Sequence, residues 1–392
     1  MQLIPDSLRP EAALHVARVR DNIPAGCDAI LIGFNANIYY TSLRFFRGYV
    51  YIPVEGEAVR FVIRPMGFTE EKDVIYVRKP EEIPSRLREL GMTLPATLGL
   101  EQDTMTWSDI ARLVKAMESP RVINASPLLR AARMVKTPWE IGQIKEDGIH
   151  HAEAYRRFTK AYREDMTDIE WQVEMERILR LEGCLGYSRV SGQLMEINLG
   201  SVISGDNADA PTPYDFAMGG AGVSPAFPVG ADGTTMRPGT TVMVDMNGAF
   251  NGYQTDMTRV WRIGEIAPLA LEAHRCSLDI LRELERIGVP GCPVAELYNK
   301  AISLVEERGL TDNFMGHRQH APFIGHGVGI ELNEMPVLTP RSKDVLAENM
   351  VIAIEPKFVI PGTGAVGAEN TYQVTPDGLV TLTRFPEDII PL

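Results

Sequence analysis

Residues 241–259 read TVMVDMNGAFNGYQTDMTR, and this stretch decides the fold. Two short β-rich runs, 241–247 and 253–261, flank Asn247-Gly248 and Asn251-Gly252. Asn and Gly accept the positive φ that tight turns require, so Asn-Gly pairs between apolar runs predict a hairpin. Each run carries one acid, Asp245 and Asp256, which strand pairing would bring side by side. At about 4 Å and an effective dielectric of about 20, two bare carboxylates repel by about 4 kcal/mol. A fold keeps such a pair when a cation lies between them, and the expected cation is a metal ion.

Further along, 351–358 (VIAIEPKF) and 365–374 (AVGAENTYQV) flank Pro361-Gly362-Thr363-Gly364, a second hairpin signal with one acid per strand, Glu355 and Glu369. Facing each other, the hairpins would form pseudo-symmetric halves around a pocket with four acids. Apolar, β-branched neighbours predict buried strands, and buried acids without a cation do not remain ionised. Two divalent ions would balance the four charges, and a shared hydroxide would add a fifth. His326, in Gly325-His326-Gly327-Val328-Gly329, is the candidate nitrogen ligand, since the glycines let the backbone crowd close to a site. Oxygen donors with one imidazole suit Mn²⁺, Co²⁺, Zn²⁺ or Fe²⁺, with Mn²⁺ the first expectation.

The rest of the chain sets the frame. Its 392 residues leave room for two or three domains, and 45% apolar with 23% charged residues is ordinary globular composition. A formal charge of −13, spread along the chain, argues against nucleic acid as a partner. Cys27, Cys184, Cys276 and Cys292 form no CxxC pair, which points to free thiols in a reducing compartment. No apolar run reaches the roughly 18 residues of a membrane helix, and MQLIPDSLRP lacks a signal-peptide layout. A cytoplasmic protein is expected. Up to residue 118, strand candidates at 28–34, 48–53, 59–64, 73–77 and 96–101 alternate with helices at 8–23, 80–91 and 106–118, which implies an α/β domain. Ile38-Tyr39-Tyr40 opens a further apolar segment. Beyond residue 137, helices at 138–164, 167–183, 267–287 and 293–308 flank the hairpins of an α+β domain.

In this order the residues resemble the pita-bread metallohydrolases, which include Xaa-Pro aminopeptidase, prolidase, methionine aminopeptidase and creatinase. That pattern is Asp, Asp eleven residues on, His in GHGxG, Glu before Pro, and a last Glu. Here it reads Asp245, Asp256, His326, Glu355 followed by Pro356, and Glu369. Thr255-Asp256-Met257-Thr258-Arg259, RMVKTPWEI at 133–141 and Asn37-Ile38-Tyr39-Tyr40 also match, so the resemblance covers nearly the whole chain. It implies an α+β fold with a pita-bread catalytic domain over 133–392 and a smaller creatinase-like α/β domain over 1–132. It also implies a homodimer. By resemblance Asp256 and Glu369 bridge two ions, Asp245 holds one, His326 holds the other, and Glu355 is both ligand and proton relay. A hydroxide bridging the ions would attack the peptide carbonyl of an Xaa-Pro substrate.

Three positions depart from the family pattern. Its histidine after the SGxN segment is Thr212, its HExP histidine is Asn333, and the Arg two residues before the last Glu is Gly367. Such histidines donate to the reacting carbonyl, a contribution of about 2.7–4 kcal/mol per donor. Thr and Asn donate hydrogen bonds as well, but neither carries a proton near pH 7 as imidazole does. His317 and His320 are candidates to replace the imidazoles. The loop 204–222, with Tyr214 and Asp215, is a candidate wall of the substrate pocket, where Asp206, Asp209 or Asp215 would select a cationic group. The expected function is Xaa-Pro peptide hydrolysis, aminopeptidase P or prolidase-like. The alternative is a metal-dependent hydrolase or lyase of a non-peptide small molecule, a cyclic amide or an osmolyte.

Overall fold

The computed structural model describes residues 1–192 and 195–392. The chain divides into two compact units, Met1–Arg133 and Met134–Leu392. In the first, a six-stranded sheet runs in the order Val74–Tyr76, Val59–Arg64, Arg47–Pro53, Ala29–Ile32, Thr97–Leu100, Arg121–Asn124. Ala29–Ile32 at its centre is buried at every position, as an uninterrupted apolar run predicts. It pairs antiparallel with Arg47–Pro53 and parallel with Thr97–Leu100. Ile38, Tyr39 and Tyr40 lie in a helix, Asn35–Ser42, rather than in an extended segment. Buried Glu101 explains the change. It accepts from the backbone N–H of Gly33 (2.6 Å) and Phe34 (2.8 Å) and from Asn37 Nδ2 (2.7 Å), so it fastens the start of that helix. Strand Arg121–Asn124 and helix Ser126–Met134 were not anticipated from the sequence.

The second unit opens with helix Pro138–Ala161. Thr137 and Glu140 form a reciprocal capping box at its start, and Thr167 and Glu170 repeat it at Asp168–Glu182. This pair covers a four-stranded sheet ordered Ile390–Pro391, Thr255–Ile263, Thr240–Gly248, Gly200–Ser204. Tyr155, Phe158, Trp171 and Trp261 fill the layer between them. Helices Pro268–Ile287 and Val294–Glu307 likewise cover a five-stranded sheet ordered Glu334–Val337, Gly325–Gly327, Val351–Ile354, Asn370–Thr375, Gly378–Thr381. Lys357–Ile360 and Gly364–Gly367 pair as a separate ribbon. Among the described residues the unit thus has two larger sheets, each backed by a helix pair, and this ribbon. All four cysteines are buried free thiols, and among the described residues no helix is long and apolar enough to cross a membrane.

Both hairpins form, with corrections in detail. In the first, Gly248 pairs with Thr255, so Asn247-Gly248 is still strand and the turn is made around Gly252, at φ 108°. Gly248 is required for another reason: a Cβ there would lie 2.5 Å from Thr255 Oγ1 and 3.0 Å from the His151 ring. The second hairpin is a single ribbon broken by a step. Val351–Ile354 pairs with Asn370–Thr375, and Lys357–Ile360 pairs with Gly364–Gly367. Glu355 and Glu369 sit at that step.

Candidate metal centre and active site

The strand register places the acids. Asp245 lies opposite Thr258 and Asp256 opposite Asn247, so the two carboxylates are offset by two residues along one face of the first hairpin. They are diagonal neighbours rather than a directly opposed pair. In the second hairpin Glu355 follows Ile354 and Glu369 precedes Asn370, and these two neighbours are register partners. Backbone bonds carry the elements together: Glu355 N–H donates to Ile324 O (2.9 Å) and Glu369 N–H to Thr258 O (3.2 Å). His326 occupies the middle of Gly325–Gly327, opposite Ala353. A Cβ on either flanking glycine would lie 2.1 Å from a backbone carbonyl, Ala353 O or Met335 O, so only glycine admits such close strands.

His326 Nδ1 is 3.0 Å from Gly327 O and donates to it, which leaves the Nε2 lone pair facing inward. Nε2 lies 3.7 Å from Asp256 Oδ2 and 3.6 Å from Glu355 Oε1. Three acceptors therefore face one another, near the roughly 3.4 Å that separates two ligands of one tetrahedral ion. Glu369 adds a fourth: Oε2 accepts from Thr258 Oγ1 at 2.6 Å, while Oε1 is buried with no hydrogen-bond partner. Burial, then the neighbouring carboxylates, push Asp256 and Glu369 well above the usual carboxylate range. Ligand atoms of Asp256, His326 and Glu369 all lie within 4.8 Å of one another. This half of the site fits a divalent ion.

The other half, Asp245, Glu355 and Glu369, also groups within 4.8 Å. Between its oxygens lies the ammonium of Lys357, 2.7 Å from Asp245 Oδ2, 2.7 Å from Glu355 Oε2 and 3.1 Å from Glu369 Oε2. The lysine is fully buried. Burial alone would lower its pKa, but the three carboxylates outweigh it and hold the pKa well above the ordinary value. Sequence reasoning passed over Lys357. The signal was a lysine inside the apolar run VIAIEPKF, two residues after an acid. Arg259 supports the same junction from behind, donating to Glu369 O (2.7 Å), Asn370 Oδ1 (2.8 Å) and Phe385 O (2.8 Å).

A small pocket of about 40 Å³ opens over these groups, lined by Asp245, Asp256, His326, Glu355 and Asn333. A larger cavity of about 290 Å³ adjoins it, and the two share Asp215, Phe216, Ala217, Met218 and Phe323. Thr212, Tyr214, His317 and His320 line the larger cavity and not the pocket over the carboxylates. The two histidines thus share a cavity with Thr212 and do not line the pocket that holds Asn333. His317 Nδ1 is 3.0 Å from Asp209 Oδ2, and His320 Nδ1 is 2.8 Å from Phe314 O. The Thr212 hydroxyl is spent on the Pro228 carbonyl at 2.8 Å, so as an expected carbonyl donor it points to backbone instead. Of the loop acids, Asp206 accepts from Gly362 N–H (2.6 Å) and Asp209 pairs with His317 and Arg318, whereas Asp215 faces both pockets.

The sequence pattern of Metallopeptidase family M24 matches residues 142–376, more than half of the chain. The chain belongs to the M24 metallopeptidase family. Residues 17–135 of this M24 chain match the Creatinase/Prolidase N-terminal domain. The Xaa-Pro dipeptidase of Pyrococcus furiosus is 26% identical over 369 residues, 93% of this chain and 95% of its own length. The solved Xaa-Pro dipeptidase from Bacillus anthracis superposes with a TM-score of 0.80 at 26% identity, over 97% of this chain and 100% of that one. The prolidase from Pyrococcus horikoshii OT3, at 22% identity and a TM-score of 0.76, is alike in fold. The fold is therefore the pita-bread α+β architecture, with a creatinase-type domain N-terminal to it in sequence. The protein is a metal-dependent enzyme, with divalent metal ions as the family's cofactors.

Proposed function

We propose that this M24 chain hydrolyses the amide bond of small Xaa-Pro peptides, dipeptides first, with Mn²⁺ as the preferred divalent ion. The observation that carries the reading is the meeting of Asp256, His326 and Glu369 beneath a pocket that shares its wall with a cavity of about 290 Å³, at the small end of ligand cavities. Relatives named as Xaa-Pro dipeptidases supply the substrate class. When bound, the ion would polarise the scissile carbonyl and acidify a water molecule.

The remaining roles fall to the chain's own groups. Glu355, in the pocket wall, takes a proton from the attacking water as the C–O bond forms. It returns that proton to the proline nitrogen as the C–N bond breaks. Asn333 donates its amide N–H to the carbonyl oxygen, a neutral substitute for an imidazole. Asp215, at the mouth between the two pockets, receives the substrate's α-ammonium group, and His317, His320 and Tyr214 form the far wall. Thr212 shapes that wall through its bonds to Pro228 and Gln319. The working form is a homodimer, a reading that rests on family resemblance and that light scattering checks, and the unpaired cysteines favour a reducing, cytoplasmic setting.

The test is turnover of an Xaa-Pro dipeptide panel by protein loaded with Mn²⁺, Co²⁺ or Zn²⁺. Hydrolysis is expected, with Glu355→Gln reducing kcat by at least about 100-fold. Cleavage of a cyclic amide or an amino-acid-like osmolyte, with no dipeptide turnover under any metal, would overturn the peptidase reading.

A further inference from the structure

The family resemblance puts an arginine at position 367 and leads one to expect two ions. This chain has Gly367 there, and the cation comes from the strand opposite, because Lys357 and Gly367 are register partners in the ribbon. Gly367 sits at φ 136°, and a Cβ on it would lie 2.9 Å from Lys357 Cα and 2.5 Å from Pro356 O. These atoms are backbone, so no side chain fits at 367 whatever residue stands at 357. The lysine side chain then runs to the three carboxylates that would form the second metal subsite.

We propose that Lys357 takes the place of one metal ion, so that this chain holds a single divalent ion at Asp256, His326 and Glu369. The proposal rests on the metal-dependent reading above and deepens it. An ammonium has three donors and no acceptor. All three are directed at Asp245, Glu355 and Glu369, within 2.7–3.1 Å. A second ion would need the same three oxygens and would sit against a fixed positive charge with no water to screen it. The unpartnered Glu369 Oε1 is not one of the three oxygens that Lys357 holds. With its donors committed, Lys357 is a positioning residue. It fixes Glu355 Oε2 and leaves Oε1 as the oxygen facing His326.

Metal counting on the full-length protein separates the outcomes. Protein saturated with Mn²⁺ and desalted is assayed for manganese per chain and for its electron paramagnetic resonance spectrum. One ion per wild-type chain is expected, with the six-line signal of an isolated Mn²⁺. Lys357→Gly is expected to take up two, with the multi-line spectrum of a coupled pair. Two coupled ions in the wild type would overturn the proposal while leaving the metal-dependent reading in place. No ion in either protein would remove that reading itself. One ion in both would show that the lysine is not what excludes the second. If Lys357→Gly does not fold, anomalous scattering from Mn²⁺-soaked wild-type crystals decides the matter. One peak beside His326 supports the proposal, and a second peak among Asp245, Glu355 and Glu369 refutes it.

Discussion

The backbone N–H of Asp256 donates to the hydroxyl of Thr371 at 2.8 Å, and that hydroxyl donates back to the carbonyl oxygen of Asp256 at 2.9 Å. The two hairpins are clamped to each other at one of the candidate metal ligands. Thr371→Val keeps the shape and leaves both backbone groups of Asp256 buried without a partner. Such a loss costs about 1–3 kcal/mol. Urea denaturation is expected to show that decrease, together with weaker Mn²⁺ binding in a calorimetric titration.

Tyr155 fastens the first hairpin from the helix side. Its hydroxyl donates to Met257 O at 2.5 Å and accepts from Met246 N–H at 3.2 Å, so one oxygen serves both strands. Tyr155→Phe removes that atom from a fully buried position, with an expected loss of about 1–3 kcal/mol. A chemical denaturation midpoint unchanged from wild type would contradict this account.

Removing a ligand should release the ion. In the Asp256–His326–Glu369 group, Asp256→Asn exchanges a charged ligand for a neutral amide and His326→Ala deletes the imidazole. Their Mn²⁺ affinity is expected to fall by more than the roughly 10–100-fold that outer-shell changes cause. Retention of manganese after dialysis, measured by atomic emission, is the check.

His274 makes the fold sensitive to acid. Its Nε2 donates to Glu387 O (2.8 Å), and its Nδ1 accepts from Gly367 N–H (3.2 Å), so the ring is held neutral. Burial first, and the Arg259 charge after it, bring its pKa down to about 4. Below pH 6.5 the unfolded chain binds a proton that the folded chain refuses, so this stability is complete above pH 6.5 and is lost as pH falls towards 4. The shift corresponds to roughly 3 kcal/mol at the acid end. Between pH 8 and pH 4.5 the wild type should lose stability more steeply than His274→Gln. Parallel curves would refute the assignment.

The cap at Thr137 and the hairpin signals were readable directly, because each depends on neighbours a few residues away, and the order of acids and histidine was readable as a linear pattern. Thr137 and Glu140 cap the helix between them through local bonds, and Asp245 with Asp256 shares a strand face by simple alternation. The helix at Asn35–Ser42 was not readable, because Glu101, more than sixty residues on, caps its start.

Sequence by itself determined the family, the two-unit layout and five candidate ligands in order, since spacing along a strand carries that information. Tertiary structure alone decided what fills the centre they surround. Lys357 and Thr212 have side chains that reach in several directions, and a linear pattern does not state which. Packing sends the Lys357 ammonium into the carboxylates and turns the Thr212 hydroxyl to a backbone carbonyl. Electrostatic neutralisation is a property of the assembled pocket, and it is settled only when charges from both hairpins meet.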